Sequence, residues 1–145
     1  MNQLNVRKKL EFLHQLMLEL AGNSRISLEG HLRECRCPSD LIVAYDETAV
    51  LKRNTIAPKL DFVVLRLTPE TVETALKAIK AAGLKGAIVH VQIERDGVLE
   101  LGAYDHFYPG CVVTGPSVST TFLEKLKDMK LLWDFKSTDC AKSCT

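Results

Sequence analysis

The sequence predicts a single α/β or α+β domain in which a mixed β-sheet of about four to six strands packs with about three helices. Apolar residues recur at helical spacing in three segments, and shorter apolar or alternating runs lie between them. The length of 145 residues is typical of one domain. We assign residues 1–136 to this domain and the mostly polar residues 137–145 to a tail that frays.

The first predicted helix covers about residues 2–21. Gly22 and Asn23 follow it, and both tolerate the left-handed conformation that commonly ends a helix. We expect the apolar stripe of this helix to pack on the sheet, and a homodimer interface is the alternative. The stripe consists of residues spaced three or four apart: Val6, Leu10, Leu13, Met17 and Leu20.

The next segment combines one clear strand with the least regular part of the chain. Residues 25–32 alternate between apolar and polar side chains, which predicts a half-buried strand. Residues 33–58 contain turn residues and polar runs, with a possible short strand at residues 41–45. We therefore expect a long, partly irregular connection here.

A strand–helix–strand unit is predicted after this connection. Residues 60–67 are almost continuously apolar, as in a strand covered on both faces. Thr68-Pro69 is typical of a helix start, so the second helix is predicted over residues 69–82. Residues 87–93 form the next strand, and the unit should be a right-handed parallel crossover.

A β-hairpin follows, and its register can be argued from its apolar residues. They share one face if Ile93 opposes Leu99, which leaves Arg95-Asp96-Gly97 as a three-residue loop. A two-residue loop at Asp96-Gly97 would place Glu100 opposite Ile93. We therefore predict the three-residue loop.

The last predicted elements are a short strand over residues 111–114 and a helix over residues 119–132. Ser117 or Ser119 should cap this helix, because a hydroxyl side chain can accept a hydrogen bond from the first turn. Its inward stripe is predicted from residues at helical spacing: Phe122, Leu126, Met129 and Trp133.

The polar face of the hairpin, within residues 88–108, is the most suggestive candidate site. A histidine near carboxylates is the minimum equipment for general acid–base catalysis or metal ligation. The alternative is an ordinary solvent-facing side of an antiparallel sheet, which is polar by construction. The aromatic residues at its end either form an interface or close the sheet. The candidate binding surface comprises His90, Glu100, Tyr104, Asp105, His106 and Tyr108.

The five cysteines allow two interpretations. Cys35, Cys37, Cys140 and Cys144 could together supply four thiolates to a structural zinc. Neither pair has the common C-x2-C spacing, however, and an odd number of cysteines suits mostly free thiols in a reducing compartment. We predict no metal and no cofactor.

Composition and motifs give no support to several function classes. The formal net charge is only +1, and no basic block is longer than Arg7-Lys8-Lys9, so no nucleic-acid partner is expected. The apolar stretch over residues 10–21 is interrupted by polar residues, and no stretch approaches the length of a membrane span, so a cytoplasmic protein is expected. Glycine-rich phosphate loops and common hydrolase motifs are absent from the sequence.

Two functions from different classes remain. The leading hypothesis is a non-enzymatic module of the immunity or adaptor kind, whose partner is another protein. The alternative is a small enzyme or ligand-binding protein, in which His90 or His106 acts with Glu100 or Asp105 on a small polar molecule. A deep pocket lined by these residues would favour the second hypothesis, and a flat exposed face would favour the first.

Overall fold

Eight strands of the chain form one sheet, and three α-helices accompany it in the computed structural model, which describes residues 1–138. The strands are β1 (Asn2–Val6), β2 (Ser24–Gly30), β3 (Ile42–Ala44), β4 (Asp61–Leu67), β5 (Ile88–Arg95), β6 (Val98–Ala103), β7 (Val112–Thr114) and β8 (Leu132–Ser137). The helices are α1 (Lys9–Leu20), α2 (Val72–Ala82) and α3 (Thr120–Asp128). Within these residues, no helix is long and apolar enough to cross a membrane.

The sheet is larger than the sequence predicted, and it is antiparallel. Its strand order is β3-β4-β2-β5-β6-β7-β1-β8, and each neighbouring pair in the described chain is antiparallel. The predicted mixed sheet of four to six strands was therefore wrong, and the class is α+β. Strands β4 and β5 do run in the same direction, but β2 lies between them and pairs with both. The predicted parallel neighbours are thus separated by an earlier strand.

The prediction of a helix over residues 2–21 was wrong at its beginning. Residues Asn2–Val6 form β1, which pairs with both β7 and β8, and α1 begins only at Lys9. Val6 still faces the core, as does the fully buried Leu13. The core-facing side chains of β1 and of α1 together follow the spacing of a single helix. Only the pairing of β1 with distant strands distinguishes it from the first turns of a helix.

The hairpin between β5 and β6 has the two-residue loop that the sequence argument rejected. Asp96 and Gly97 have φ angles of 52° and 77°, and positive values at both positions are typical of a type I′ turn. A β-bulge then shifts the register, so that Ile93 pairs with Leu101 and Glu100 is the extra residue. The bulge keeps Leu101 and Ala103 on the same face as Ile93, whereas Leu99 lies opposite Glu94 and packs with the apolar cluster of the other face. The prediction that the apolar hairpin residues share one face was therefore wrong for Leu99.

The C-terminal helix is capped as predicted but is shorter. The Ser119 hydroxyl accepts a 3.1 Å hydrogen bond from the backbone N–H of Phe122. The predicted inward stripe was wrong beyond Leu126, because Met129 lies past the helix and Trp133 lies on β8, where 61% of it is exposed. Ser137 ends β8, and most of the predicted tail lies outside the described residues.

The two faces of the sheet are covered in different ways. The three helices supply the main apolar core on one face, which we call the helix face. On the opposite face, residues 45–60 run across β4, β2 and β5 and bury Leu51 completely. We call residues 45–60 the covering segment. The irregular connection predicted from the sequence is therefore present, and it acts as the second layer over part of the sheet.

Gly30, at the end of β2, should be sensitive to substitution. A Cβ atom placed there would lie 2.0 Å from the backbone oxygen of Ala87, which requires the backbone to shift. We expect Gly30→Ala to lower the free energy of unfolding by about 1–3 kcal/mol. Gly86→Ala is the control, because nothing lies within 4 Å of its Cβ position, and its effect should stay within about 1 kcal/mol. Urea denaturation of both variants measures this, and equal stabilities would contradict the close approach.

Candidate functional site

The polar face of the β5–β6 hairpin is not open to solvent, because the covering segment and neighbouring loops enclose it. His90, Glu100 and Tyr104 are only 2%, 2% and 7% exposed. The central strand β2 adds Ser27 and Glu29 to the same buried face. Buried polar groups need hydrogen-bond partners, and here many of the partners are backbone groups of the covering segment.

Glu29 binds the covering segment through both oxygens of its carboxylate. Oε1 accepts a 2.8 Å hydrogen bond from the N–H of Asn54, and Oε2 accepts a 3.1 Å hydrogen bond from the N–H of Thr55. Glu29 is 1% exposed. A buried carboxylate is stabilised by such charge-assisted hydrogen bonds. Glu29 therefore attaches the irregular segment to the middle of the sheet.

His90 lies directly across from Glu29 and uses both ring nitrogens. Nδ1 accepts a 3.0 Å hydrogen bond from the N–H of Asp105, so the neutral ring carries its proton on Nε2. Nε2 then donates to Oγ1 of Thr55 over 2.7 Å. Burial lowers the pKa of His90, against the opposing influence of the charges of Glu29 and Asp105, while His106 adds to the lowering. The geometry and the pKa both favour a neutral imidazole.

Gln92 and Tyr104 complete this buried layer. The Nε2 of Gln92 donates to the Tyr104 hydroxyl over 2.9 Å, and its Oε1 accepts a 3.0 Å hydrogen bond from the N–H of Lys52. The Tyr104 ring lies over Gly102, where a Cβ atom would be 2.5 Å from its hydroxyl oxygen. The predicted register, with Ile93 opposite Leu99, would place His90 across from Gly102, but the bulge moves Gln92 to that position. Burial raises the pKa of Tyr104, so its hydroxyl stays protonated.

Glu100 has a local structural role at the bulge. Its Oε1 accepts a 3.0 Å hydrogen bond from the N–H of Ser117, and its backbone oxygen accepts one from Gly115. The predicted register, with Ile93 opposite Leu99, would also pair Glu100 with Gln92, but Gln92 opposes Gly102. Glu100 therefore holds the loop before α3 against β6.

The segment after β6 turns sharply. Asp105, His106 and Phe107 have consecutive φ angles of 53°, 57° and 61°, which residues with side chains rarely adopt. Nδ1 of His90 accepts a hydrogen bond from the N–H of Asp105, and Nδ1 of His106 donates to the backbone oxygen of Leu84 over 2.9 Å. Phe107 is 2% exposed and meets the ring of Phe12 edge to face. Phe107 therefore closes the core, which is one of the two interpretations offered for the aromatic residues.

The six predicted surface residues do not form one surface. Three of them are buried beneath other segments, while Asp105 is exposed, His106 is half-buried and Tyr108 is 64% exposed. None of the six lines the cavity between α1 and α2 or the cavity beside β3 and β4. The binding role of these six residues stays a prediction. The contacts described for them within residues 1–138 stabilise the fold.

The cysteines that the sequence offered for zinc are only partly described. Sγ of Cys35 lies 3.5 Å from Sγ of Cys37, while Cys140 and Cys144 lie outside the described residues. Within residues 1–138, no group of three or more suitable side chains could hold a metal ion. Cys111 is disulfide-bonded and so is not one of the expected free thiols.

A cluster of cationic side chains, which the sequence argument missed, lies on the helix side of the molecule. It surrounds a cavity of about 780 Å³ between the beginning of α1 and the end of α2. Glu11 is the single carboxylate among the lining residues. We call this cavity the cationic groove. Its cations are Arg7, Lys8, Lys9, Lys80 and Lys85.

The electrostatics of the cationic groove favour an anionic ligand. Partial burial, together with the positive charge of Lys85, lowers the pKa of Lys9. None of the five cations has a carboxylate within ion-pair distance in the described part of the chain. The free N–H groups at the beginning of α1 add positive potential, which the charge of Glu11 in the same turn opposes. An anion placed here would relieve the repulsion between neighbouring cations.

An exposed aromatic side chain lies beside the cationic groove. The guanidinium carbon of Arg7 is 4.7 Å from the ring centroid of Trp133, a cation–π contact. Arg7 and Lys8 are positioned by their backbone N–H groups, which both donate to the oxygen of Leu131. The loop before β8 therefore sets the place of Arg7, and Arg7 links the groove to Trp133.

Part of the cationic groove could be seen in the sequence. Arg7-Lys8-Lys9 is the longest basic block, but three adjacent charges alone do not predict a cationic surface. Lys80 and Lys85 follow about seventy residues later and join the block because α1 packs against α2. No local sequence pattern predicts that these two groups of cations lie close together. No family model, curated protein or solved structure matches the chain.

We expect Glu29→Gln to loosen the covering segment. The substitution keeps the shape of the side chain, removes its charge and leaves one of two backbone N–H groups facing an amide nitrogen. The free energy of unfolding should fall by about 1–3 kcal/mol, and proteases should cleave residues 45–60 faster. Glu19→Gln, at an exposed position on α1, is the matched control. Unchanged stability and cleavage in Glu29→Gln would show that the carboxylate does not hold the segment.

We also expect the stability of the protein to fall as the pH is lowered through the range in which histidine titrates. The folded state keeps His90 neutral because its pKa is lowered, whereas the unfolded chain takes up a proton near the usual histidine pKa of 6.5. The unfolded state therefore binds more protons below this pH, and the stabilisation present above it is lost as the pH falls towards the lower pKa of the folded state.

Urea denaturation between about pH 5 and about pH 8 measures this effect. His90→Gln should be less stable throughout, but with a shallower dependence on pH, since only His90 differs between the two proteins. Parallel pH profiles for the two proteins would show that His90 contributes nothing to the dependence.

Proposed function

We propose that this protein is a non-enzymatic binding module that docks an acidic segment of another protein in the cationic groove. The observation that carries the proposal is the meeting of five cations and one carboxylate around a cavity of about 780 Å³. Charge complementarity of this kind speeds encounter and selects the partner. The protein-binding function is the one expected from the sequence, but the proposed binding surface is the cationic groove and not the face of the hairpin.

Several features favour an acidic polypeptide over a small enclosed anion. Arg7, Lys8, Lys80 and Lys85 are exposed on long side chains, so their charges are spread along an open groove. A small anion is usually held by a few buried, fixed donors. A chain of carboxylates can instead meet several mobile ammonium groups in succession. Trp133 beside Arg7 adds an exposed aromatic side chain, and tryptophan and arginine are frequent at the energetic centres of interfaces.

The alternative function centred on His90 receives less support from the contacts. Both ring nitrogens of His90 are bonded within the chain, to Thr55 and to the backbone of Asp105. Proton transfer to a substrate would require one of these bonds to break and the covering segment to open. We therefore base the proposed function on the groove.

Binding of a synthetic peptide of glutamate and serine tests the proposal. Trp133 is the only tryptophan in the sequence and lies beside the groove, so its fluorescence reports occupancy. We expect the emission to change with peptide concentration, and the affinity to weaken with added salt because the groove is open to solvent. Lys8→Glu combined with Lys80→Glu should weaken binding about tenfold or more.

The matched control is Lys52→Glu combined with Arg66→Glu. It changes the net charge equally, but Lys52 belongs to the covering segment and Arg66 lies on the same side of the sheet, away from α1 and α2. The control should bind the peptide within about twofold of the native protein. Equal weakening in both double variants, or no binding by the native protein, would overturn the proposal. Tighter binding of a single-stranded oligonucleotide than of the peptide would show that the groove prefers the phosphates of a nucleic acid to the carboxylates of an acidic protein.

A further inference from the structure

Cys35 and Cys37 place two thiols beside a second cavity, near the β3 edge of the sheet. The cavity has a volume of about 450 Å³ and is lined by residues before β3 and around the beginning of β4. Both cysteines are half-buried and free, and their sulfur atoms are 3.5 Å apart. A disulfide bond is about 2 Å long, so a shift of about 1.5 Å would join them.

The charges around this cavity are mainly positive. Arg53 is already paired with Asp46, and Asp61 accepts a hydrogen bond from the N–H of Leu32. Arg33 and Lys59 also line the cavity, and neither has a carboxylate within ion-pair distance in residues 1–138. The cavity therefore offers two available cations next to two thiols.

We propose that Cys35 and Cys37 form a redox-active dithiol that exchanges with a small anionic disulfide bound in this cavity. The thiolate of Cys35 attacks one sulfur of the substrate disulfide, whose S–S bond breaks, and the first thiolate product leaves and takes a proton. Cys37 loses its proton to solvent and attacks the sulfur of Cys35, which forms the Cys35–Cys37 bond and expels the second product. The protein loses two electrons, and the disulfide is reduced to two thiols.

The environments of the two sulfur atoms indicate which cysteine reacts first. Cys37 packs against the main core, whereas Cys35 does not. Burial, together with the hydrogen bond and charge of Cys35, raises the pKa of Cys37 to about 12. Cys37 is therefore a thiol at neutral pH, and Cys35 acts first. Once Cys35 is in the mixed disulfide, its charge and hydrogen bond no longer oppose ionisation of Cys37, and burial alone still raises the pKa of Cys37.

The experiment exposes the native protein to buffers of reduced and oxidised glutathione in varied ratio, followed by acid quenching and alkylation. Trypsin cleaves after Arg36, between the two cysteines, so an internal disulfide leaves two tryptic peptides covalently linked. We expect the linked peptides to increase as the buffer becomes more oxidising. Their absence at every ratio would overturn the proposal.

Two serine variants test the assigned order. Cys37→Ser should accumulate a mixed disulfide with glutathione on Cys35, because the second attack is removed. Cys35→Ser should leave Cys37 largely unmodified in the same time. Equal modification in both variants, or modification of Cys37 alone, would contradict the assignment.

The role of the cavity cations has its own readout. Arg33→Glu should slow oxidation by glutathione disulfide, which carries carboxylates, but not oxidation by cystamine, which is cationic. Glu34→Gln, at the neighbouring exposed position, is the control that alters charge without removing a cation from this cavity. Equal slowing of both reactions by Arg33→Glu would show that the arginine does not select an anionic substrate.

Discussion

The attachment of residues 45–60 to the buried polar face of the sheet is the interaction on which the rest of the structure depends. Glu29, His90 and Gln92 lie on adjacent strands, and each bonds to this irregular segment. Without these partners, a buried carboxylate and a buried imidazole would face each other with unmet hydrogen-bonding capacity, which is costly. The polar side chains and the segment therefore require each other.

This arrangement also explains why the apparent catalytic constellation is enclosed. A histidine, carboxylates and a tyrosine on one face of a hairpin resemble an active site, but here they bond to backbone groups and to other side chains of the chain. His90 links two irregular segments, since one ring nitrogen bonds to Thr55 and the other to the backbone of Asp105. A neutral imidazole suits this role because it donates at one nitrogen and accepts at the other.

The two proposed sites lie in different layers and arise from different constraints. The cationic groove exists because β1 occupies residues 2–6 and leaves Arg7 and its neighbours at the beginning of α1, against the end of α2. The dithiol lies in the loop between β2 and β3, where the covering segment contributes Arg53 and Lys59 to the cavity wall. Binding in the groove and exchange at the dithiol are thus separable, since they share no lining residue.

The sequence by itself determined that helices combine with a β-sheet, and it located the strands near residues 61–67 and 88–95 and the helix that ends at Gly83. It also limited the cap of the last helix to two serines, of which Ser119 is the one used. These features depend on local periodicity, on the stereochemistry of turn residues and on hydrogen bonds between near neighbours, all of which can be read along the chain. The bounds of the irregular connection could also be recognised, but not its contacts.

Only the tertiary structure decided the strand order, the bulge at Glu100 and the burial of the hairpin's polar face. Insertion of β2 between β4 and β5, and of β1 between β7 and β8, depends on pairings far apart in the chain. A polar residue beneath a covering loop has the same alternation as one facing water, because alternation shows only that two faces differ. The partners of Glu29 and Lys9 lie 25 or more residues away, and long-range packing alone brought them together.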